Sequence, residues 1–154
     1  MTTPGKTANP AAWLAAIVAF VALVAVSIAA FVSGRLPEGP VTPVFDKEAC
    51  AFCKMHVGEP GYAAQLQTRA GDVFFYDDPG CLVEHLAAER PEVHALYFRH
   101  VHEERWLTVE QAGFVPMPAT PMGFGYGAVD ASTPGAITFA EFSAKVAARD
   151  RGGQ

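Results

Sequence analysis

Residues 62–101 read YAAQLQTRAGDVFFYDDPGCLVEHLAAERPEVHALYFRHV. Tyr62 to Thr68 and Asp72 to Tyr76 are two β-capable runs separated by Arg-Ala-Gly, which predicts a hairpin with Gly71 free to take positive φ. Asp77, Asp78 and Pro79 end the hairpin and open a helix over Gly80 to Arg90, with Asp78 as N-cap and Pro79 in the first turn. Leu82, Val83 and Leu86 form its inward stripe. Val93 to Val101 then reads as a further strand, so the segment as a whole predicts strand, strand, helix, strand.

Downstream the pattern is less regular. Trp106 to Val109 predicts a short strand. Residues 113–129, GFVPMPATPMGFGYGAV, contain four glycines and three prolines and read mostly as loop, with one edge strand around Gly125 to Val129. Thr138 to Arg149 places Phe139, Phe142 and Val146 at helical spacing, and Thr138 with Glu141 makes a T-x-x-E capping box. Strands and helices in this order predict an α+β domain with helices packed on a small sheet.

Upstream, Ala11 to Val32 contains no charged residue, and only Ser27 interrupts its apolar side chains. At about 1.5 Å per residue a helix over this run spans roughly 33 Å, the thickness of a bilayer core. The h-region of a secretory signal is usually only about 7–15 residues, so the run predicts a retained single-pass anchor, with cleavage after the small residues near Ala30 as the other reading. Residues 1–10 form a short N-terminal tail carrying Lys6. Residues 33–49, in which 35–49 hold three prolines and a glycine, read as a semi-extended spacer before a domain over 50–150. This run accounts for much of the 51% hydrophobic content of the 154-residue chain. Of its 11 Lys and Arg and 16 Asp and Glu, only Lys6 precedes residue 35, so the domain is acidic. Nucleic acid is therefore not an expected partner, because binding phosphates needs a basic face.

The chemistry lies in sulfur. Cys50, Cys53, Met55 and His56 crowd together before Gly58-Glu59-Pro60-Gly61, and the other sulfur residues of the domain are Cys81, Met117 and Met122. Thiolate plus thioether is the donor set that selects soft, monovalent copper. In an extended Cys53-Lys54-Met55 segment both sulfur side chains point to one side and suit a shared ion; the plainer reading has Met55 filling a gap in the core. C-x-x-C alone is also compatible with a redox dithiol, half a zinc site or a disulfide. Cys81 is open to three readings: a buried small residue, a partner for Cys50, or an extra thiolate. His56, beside Met55, is a weaker ligand candidate, and His85 follows Cys81 by one helical turn. His100 and His102 flank Val101 as a weak Cu(II) or Zn(II) pair or, more simply, a solvated hairpin. Asp77 and Asp78 read as turn and cap residues whose charge attracts cations.

C-x-M, then G-x-x-x-Y-A-A-Q, then F-F-Y-D-D-x-G-C, then T-P-M-G-F-G-Y-G-A, in this order from residue 50 to about 147, resembles the NosL family of copper-binding accessory proteins of nitrous oxide reductase maturation. The resemblance implies two small related ββαβ units packed together, the second shortened and ending in the Thr138 to Arg149 helix. It also implies Cu(I) ligation by Cys53, Met55 and, in the Pro-Met-Gly loop, Met122; Cys50, as a fourth ligand, and Cys81, as an extra thiolate, are further candidates read from the residues themselves. Three soft donors leave a position open for a ligand of the receiving protein. The function implied is a non-enzymatic copper chaperone or metallation factor, delivering copper by ligand exchange to a membrane or periplasmic cuproenzyme such as nitrous oxide reductase. Its partners would be that enzyme or a copper transporter complex. Family members are commonly anchored through a lipidated cysteine, whereas here residues 11–32 would hold the protein in the cytoplasmic membrane with the domain facing the periplasm or cell exterior. A membrane-tethered thiol-disulfide oxidoreductase using Cys50 and Cys53 is the competing function.

Overall fold

A computed structural model of the chain describes residues 10–33 and 36–152 and divides into two compact units, residues 1–35 and 36–154. The N-terminal tail with Lys6 lies outside the described residues. In the first unit, α1 (Pro10–Ser33) is a single helix that is long and apolar enough, over Ala11–Ala29, to cross a membrane. Trp13, Ile17, Phe20, Leu23 and Val26 are all exposed, so its apolar surface runs around the helix with no polar stripe to face water.

The second unit has four strands in one sheet, ordered β2-β1-β3-β4: β1 (Ala64–Thr68), β2 (Val73–Tyr76), β3 (Val93–Arg99) and β4 (Trp106–Thr108). All pairings are antiparallel, with Leu66 opposite Phe74 on one side and Leu96 on the other. Gly71 sits at φ 94° in the β1–β2 turn, a backbone state that glycine enters without strain. Helix α2 (Pro79–Glu89) joins β2 to β3, so the ββαβ order is as predicted. Asp78 accepts the Gly80 N–H as N-cap, and Arg90 ends the helix in the left-handed region at φ 47°.

The glycine- and proline-rich second half contains one strand more than its composition predicts. β5 (Ala112–Pro116) pairs with β6 (Tyr126–Asp130) in a separate two-stranded sheet, Phe114 opposite Ala128. Tertiary packing makes this strand: Phe114 stacks on Phe142 at 4.5 Å and meets Phe98 edge-on at 5.0 Å. Gly113 is part of the same packing, since a Cβ there would lie 2.7 Å from that of Ala136. Helix α3 (Phe139–Gly152) follows, opened by the predicted capping box, in which Thr138 N–H donates to Glu141 and Glu141 N–H to Thr138 Oγ1. Its Phe142 and Val146 are buried. Thus β5, β6 and α3 form a shortened second unit, with no strand after α3 among the described residues. A bridge between His100 and Ala128 ties the two sheets together.

Residues 39–41 lie along β1. Gln67 Nε2 donates to Gly39 O, and Gln65 exchanges two hydrogen bonds with the Val41 backbone, which explains why these two amides are fully buried in a strand.

Candidate metal centre

Cys50, Cys53, Met55 and His56 occupy a tight loop closed at its base by a bridge between Ala49 and His56 and by the Cys50 N–H donating to Met55 O at 2.7 Å. The extended Cys53-Lys54-Met55 geometry expected from the spacing is not formed. Lys54 takes φ 65°, and residues 51–53 turn, so the two-residue alternation that would align the two sulfur side chains does not apply. The turn has a different result. It folds the loop against the sheet, where Ala51 N–H donates to Phe75 O at 2.8 Å, and carries Cys50 inward to full burial.

There it meets Cys81. Asp78 caps α2 so that the first turn delivers Cys81 to the same place, also fully buried. The sulfur atoms of Cys50, Cys53 and Cys81 all lie within 4.8 Å of one another, and all three thiols are free of disulfides. Cys81 is thus a buried residue whose free thiol lies beside the C-x-x-C loop. No sequence periodicity connects residue 81 to residues 50–53. The one available signal was a cysteine in the first turn of a helix that directly follows a strand beside that loop.

The three sulfurs differ electrostatically. Cys50 is lowered to about 5, chiefly because the Cys81 S–H donates to it, and the backbone N–H groups of Asp77, Cys53 and Phe52 assist against the cost of burial. Cys81 is strongly raised by the same shared proton and by burial. Burial also raises Cys53, although its sulfur accepts the Met55 N–H. The surroundings therefore favour ionisation of Cys50 and oppose that of Cys53 and Cys81.

Met55 and Met122 are both exposed at the surface of the domain. The Met122 N–H donates to Asp78 Oδ2 at 3.2 Å, so the carboxylate that caps the Cys81 helix also holds the Pro-Met-Gly loop. Phe124 reinforces the link, because its ring fills the space where a side chain on Gly80 would go. Asp77 and Asp78 are buried, and burial raises both carboxyls; Asp77 accepts the Gly58 N–H at 3.0 Å.

No histidine belongs to the three-cysteine cluster. His56 is exposed at the loop base. The His85 ring packs at 5.5 Å from the rings of Phe74 and Tyr76, which gives it a packing role. His100 is not part of a solvated hairpin: it is buried, its Nδ1 accepts the His102 N–H, and its Nε2 faces Glu103 and Asp130 at 3.9 Å. Arg105 already binds both carboxylates at 2.6 Å. The group is a polar clasp between the 100–105 turn and β6.

No protein-family model matches the sequence, and no curated protein does. Among solved structures, the copper chaperone NosL from Shewanella denitrificans matches with a TM-score of 0.52 at 17% identity, over 73% of this chain and 89% of that chain. The α+β arrangement described above is therefore a NosL-like fold.

Proposed function

We propose that the protein is a membrane-anchored copper(I) chaperone or metallation factor, and that Cys50, Cys53 and Cys81 hold its cargo, with Met55 and Met122 as exchangeable thioether donors. The observation that carries this reading is the convergence of three cysteine sulfurs within 4.8 Å. Metal–thiolate bonds of about 2.3 Å in a trigonal arrangement put the sulfurs about 4 Å apart, so a small inward movement closes the site around one ion. An all-sulfur set of this kind favours Cu(I) over harder cations. The likeness of fold to a solved copper chaperone supports the same reading.

Burial and exposure divide the labour. Cys50 and Cys81 are inaccessible, Cys53 is half-buried, and the two methionines face solvent. Copper enters and leaves on the Cys53, Met55 and Met122 side, where a partner's soft ligand replaces a thioether before the thiolates let go. The partner is a copper-receiving enzyme of the nitrous oxide reductase type, or a copper transporter complex. No catalytic step is assigned to this chain. Residues 11–32 anchor it in the cytoplasmic membrane, and the domain over 50–150 faces the periplasm or cell exterior. A thiol oxidoreductase needs its low-pKa thiol presented to substrate, and Cys50 is sealed from solvent and stands before a turn instead of at a helix start.

Anaerobic competition of the reduced full-length chain in detergent against a chromophoric Cu(I) chelator tests the assignment. One-to-one binding is expected, weakened at least tenfold, or about 1.4 kcal/mol, by Cys81→Ser and more modestly by Met122→Ala. Affinity indifferent to Cys81 would remove it from the site.

A further inference from the structure

β2 is an outer strand of the four-stranded sheet and is paired on one side, with β1. Its other edge is half covered. Ala51 of the sulfur loop donates its N–H to Phe75 O, so Phe75 turns its main chain outward, and by the alternation of an antiparallel ladder Val73, two residues earlier, does the same. Among the described residues, no main-chain group pairs with Val73 on that side. An open strand edge is a template for another chain, and proteins usually cover or blunt it.

A cleft of about 1030 Å³ is lined by Val73, Phe74 and Phe75 of this strand, by residues of the 48–54 loop, and by the end of α2 with the residues that follow it. It is open to solvent and at the upper end of the roughly 300–1000 Å³ that encloses a small molecule, so it suits a length of chain better. Besides the strand's phenylalanines it offers Phe52, which is 40% exposed. Its charge is one-sided. Glu48, Asp72, Glu89 and Glu92 all line the cleft, and none of them forms a salt bridge among the described residues. Lys54 is the one Lys or Arg of the lining, and its amine is turned back onto Ala51 O. A second copy of this chain would bring the same carboxylates to the same edge, and an anionic membrane surface would be repelled as well. A cationic chain is attracted.

We propose that the open edge of β2 is the docking site for an extended, basic segment of a partner protein, which pairs its main chain with Val73, lays apolar side chains against the phenylalanines and sets lysine or arginine among the four carboxylates. Nothing in it depends on copper, since cleft, strand edge and charges are features of the polypeptide alone. In strand addition of this kind the main-chain hydrogen bonds supply affinity and the side chains supply selection. The segment would continue the edge on which the sulfur loop already sits at Phe75.

The test uses the reduced full-length chain, isotopically labelled, in an uncharged detergent, and as probe a capped peptide of alternating lysine and valine. Binding and amide hydrogen exchange are followed by NMR. The peptide is expected to bind and to slow exchange at the Val73 amide. It is expected to bind about tenfold more weakly to a chain carrying Glu89→Lys and Glu92→Lys, both at exposed positions, with the melting temperature unchanged. A peptide with glutamate in place of lysine, and a lysine–valine peptide with every amide methylated, are expected to leave Val73 exchange as it was. Equal binding of any of these peptides, binding indifferent to the two charge reversals, or binding without slowed exchange at Val73 overturns the proposal, because it would report charge attraction or apolar contact without strand pairing. Absence of binding at millimolar peptide also overturns it. Slowed exchange at Val73 with no peptide present, together with sedimentation as a dimer, assigns the edge to a second copy of the chain and overturns it too.

Discussion

Cys50 is the thiol that the folded protein holds lowest, at about 5. Its thiolate is held by the Cys81 S–H and by backbone N–H groups that the 50–55 turn and the start of α2 aim at one point. Because its value in the folded protein lies below that of an ordinary thiol, the ionised form stabilises the fold. The contribution is complete above the ordinary thiol range and is lost as the pH falls through about 5. The reduced, metal-free protein is therefore expected to gain stability with rising pH between about 5 and the ordinary thiol range, a slope that denaturant titration should find missing in Cys50→Ala. Cys53 and Cys81, both raised, remain protonated at neutral pH, so loading all three sulfurs with Cu(I) should release two protons. A pH indicator in weakly buffered solution reads this directly, and release of no proton would mean that Cys50 binds without the other two. The residue types were legible in the sequence as a soft donor set. Their convergence was not, because Cys81 reaches Cys50 only through the sheet and the cap of α2, and because the left-handed Lys54 breaks the extended geometry that the Cys53-Lys54-Met55 spacing invites.

At the scale of elements, α2 is the organiser of the site. One carboxylate, Asp78, caps the helix that carries Cys81 and receives the Met122 N–H from a loop far along the chain. Gly80 permits the second contact, since a Cβ would stand 2.0 Å from the Phe124 ring. Gly80→Ala must push that ring and the loop outward, and the expected cost is about 1–3 kcal/mol of stability, measured by urea denaturation, together with weaker Cu(I) retention. Unchanged stability would show that the loop is not seated on the helix. The elements whose signals were local were readable from the chain: the β1–β2 hairpin with its Gly71 turn, the Asp78-Pro79 helix start and the Thr138–Glu141 capping box. β5 was not readable, because glycine and proline argue against a strand at every local scale, and what makes the strand is the packing of Phe114 between the edge-on Phe98 and the stacked Phe142. His100 was misread for a related reason: its burial comes from β6, whose Ala128 and Asp130 are far from it in sequence.

For the whole molecule, the helix over Pro10–Ser33 and the folded unit from residue 36 onward answer to different solvents. The helix exposes apolar side chains on every side, so its free energy is lowest in lipid. The expected outcome is that the full-length protein stays in the membrane pellet through an alkaline carbonate wash, with the mass of the uncleaved chain. A soluble form shortened to near residue 30 would identify the helix as a cleaved signal. As a retained anchor, the helix would keep the proposed copper carrier close to membrane partners and raise its effective concentration there.

The claim on which the rest depends is that three cysteine sulfurs share one Cu(I) ion. X-ray absorption at the copper edge of the reduced, full-length protein loaded with one equivalent of copper tests it most directly. Monovalent copper in an all-sulfur shell, with about three sulfur neighbours near 2.3 Å and one sulfur fewer in Cys81→Ser, is the expected result. A shell dominated by nitrogen or oxygen, or one unaltered by loss of Cys81, would contradict it.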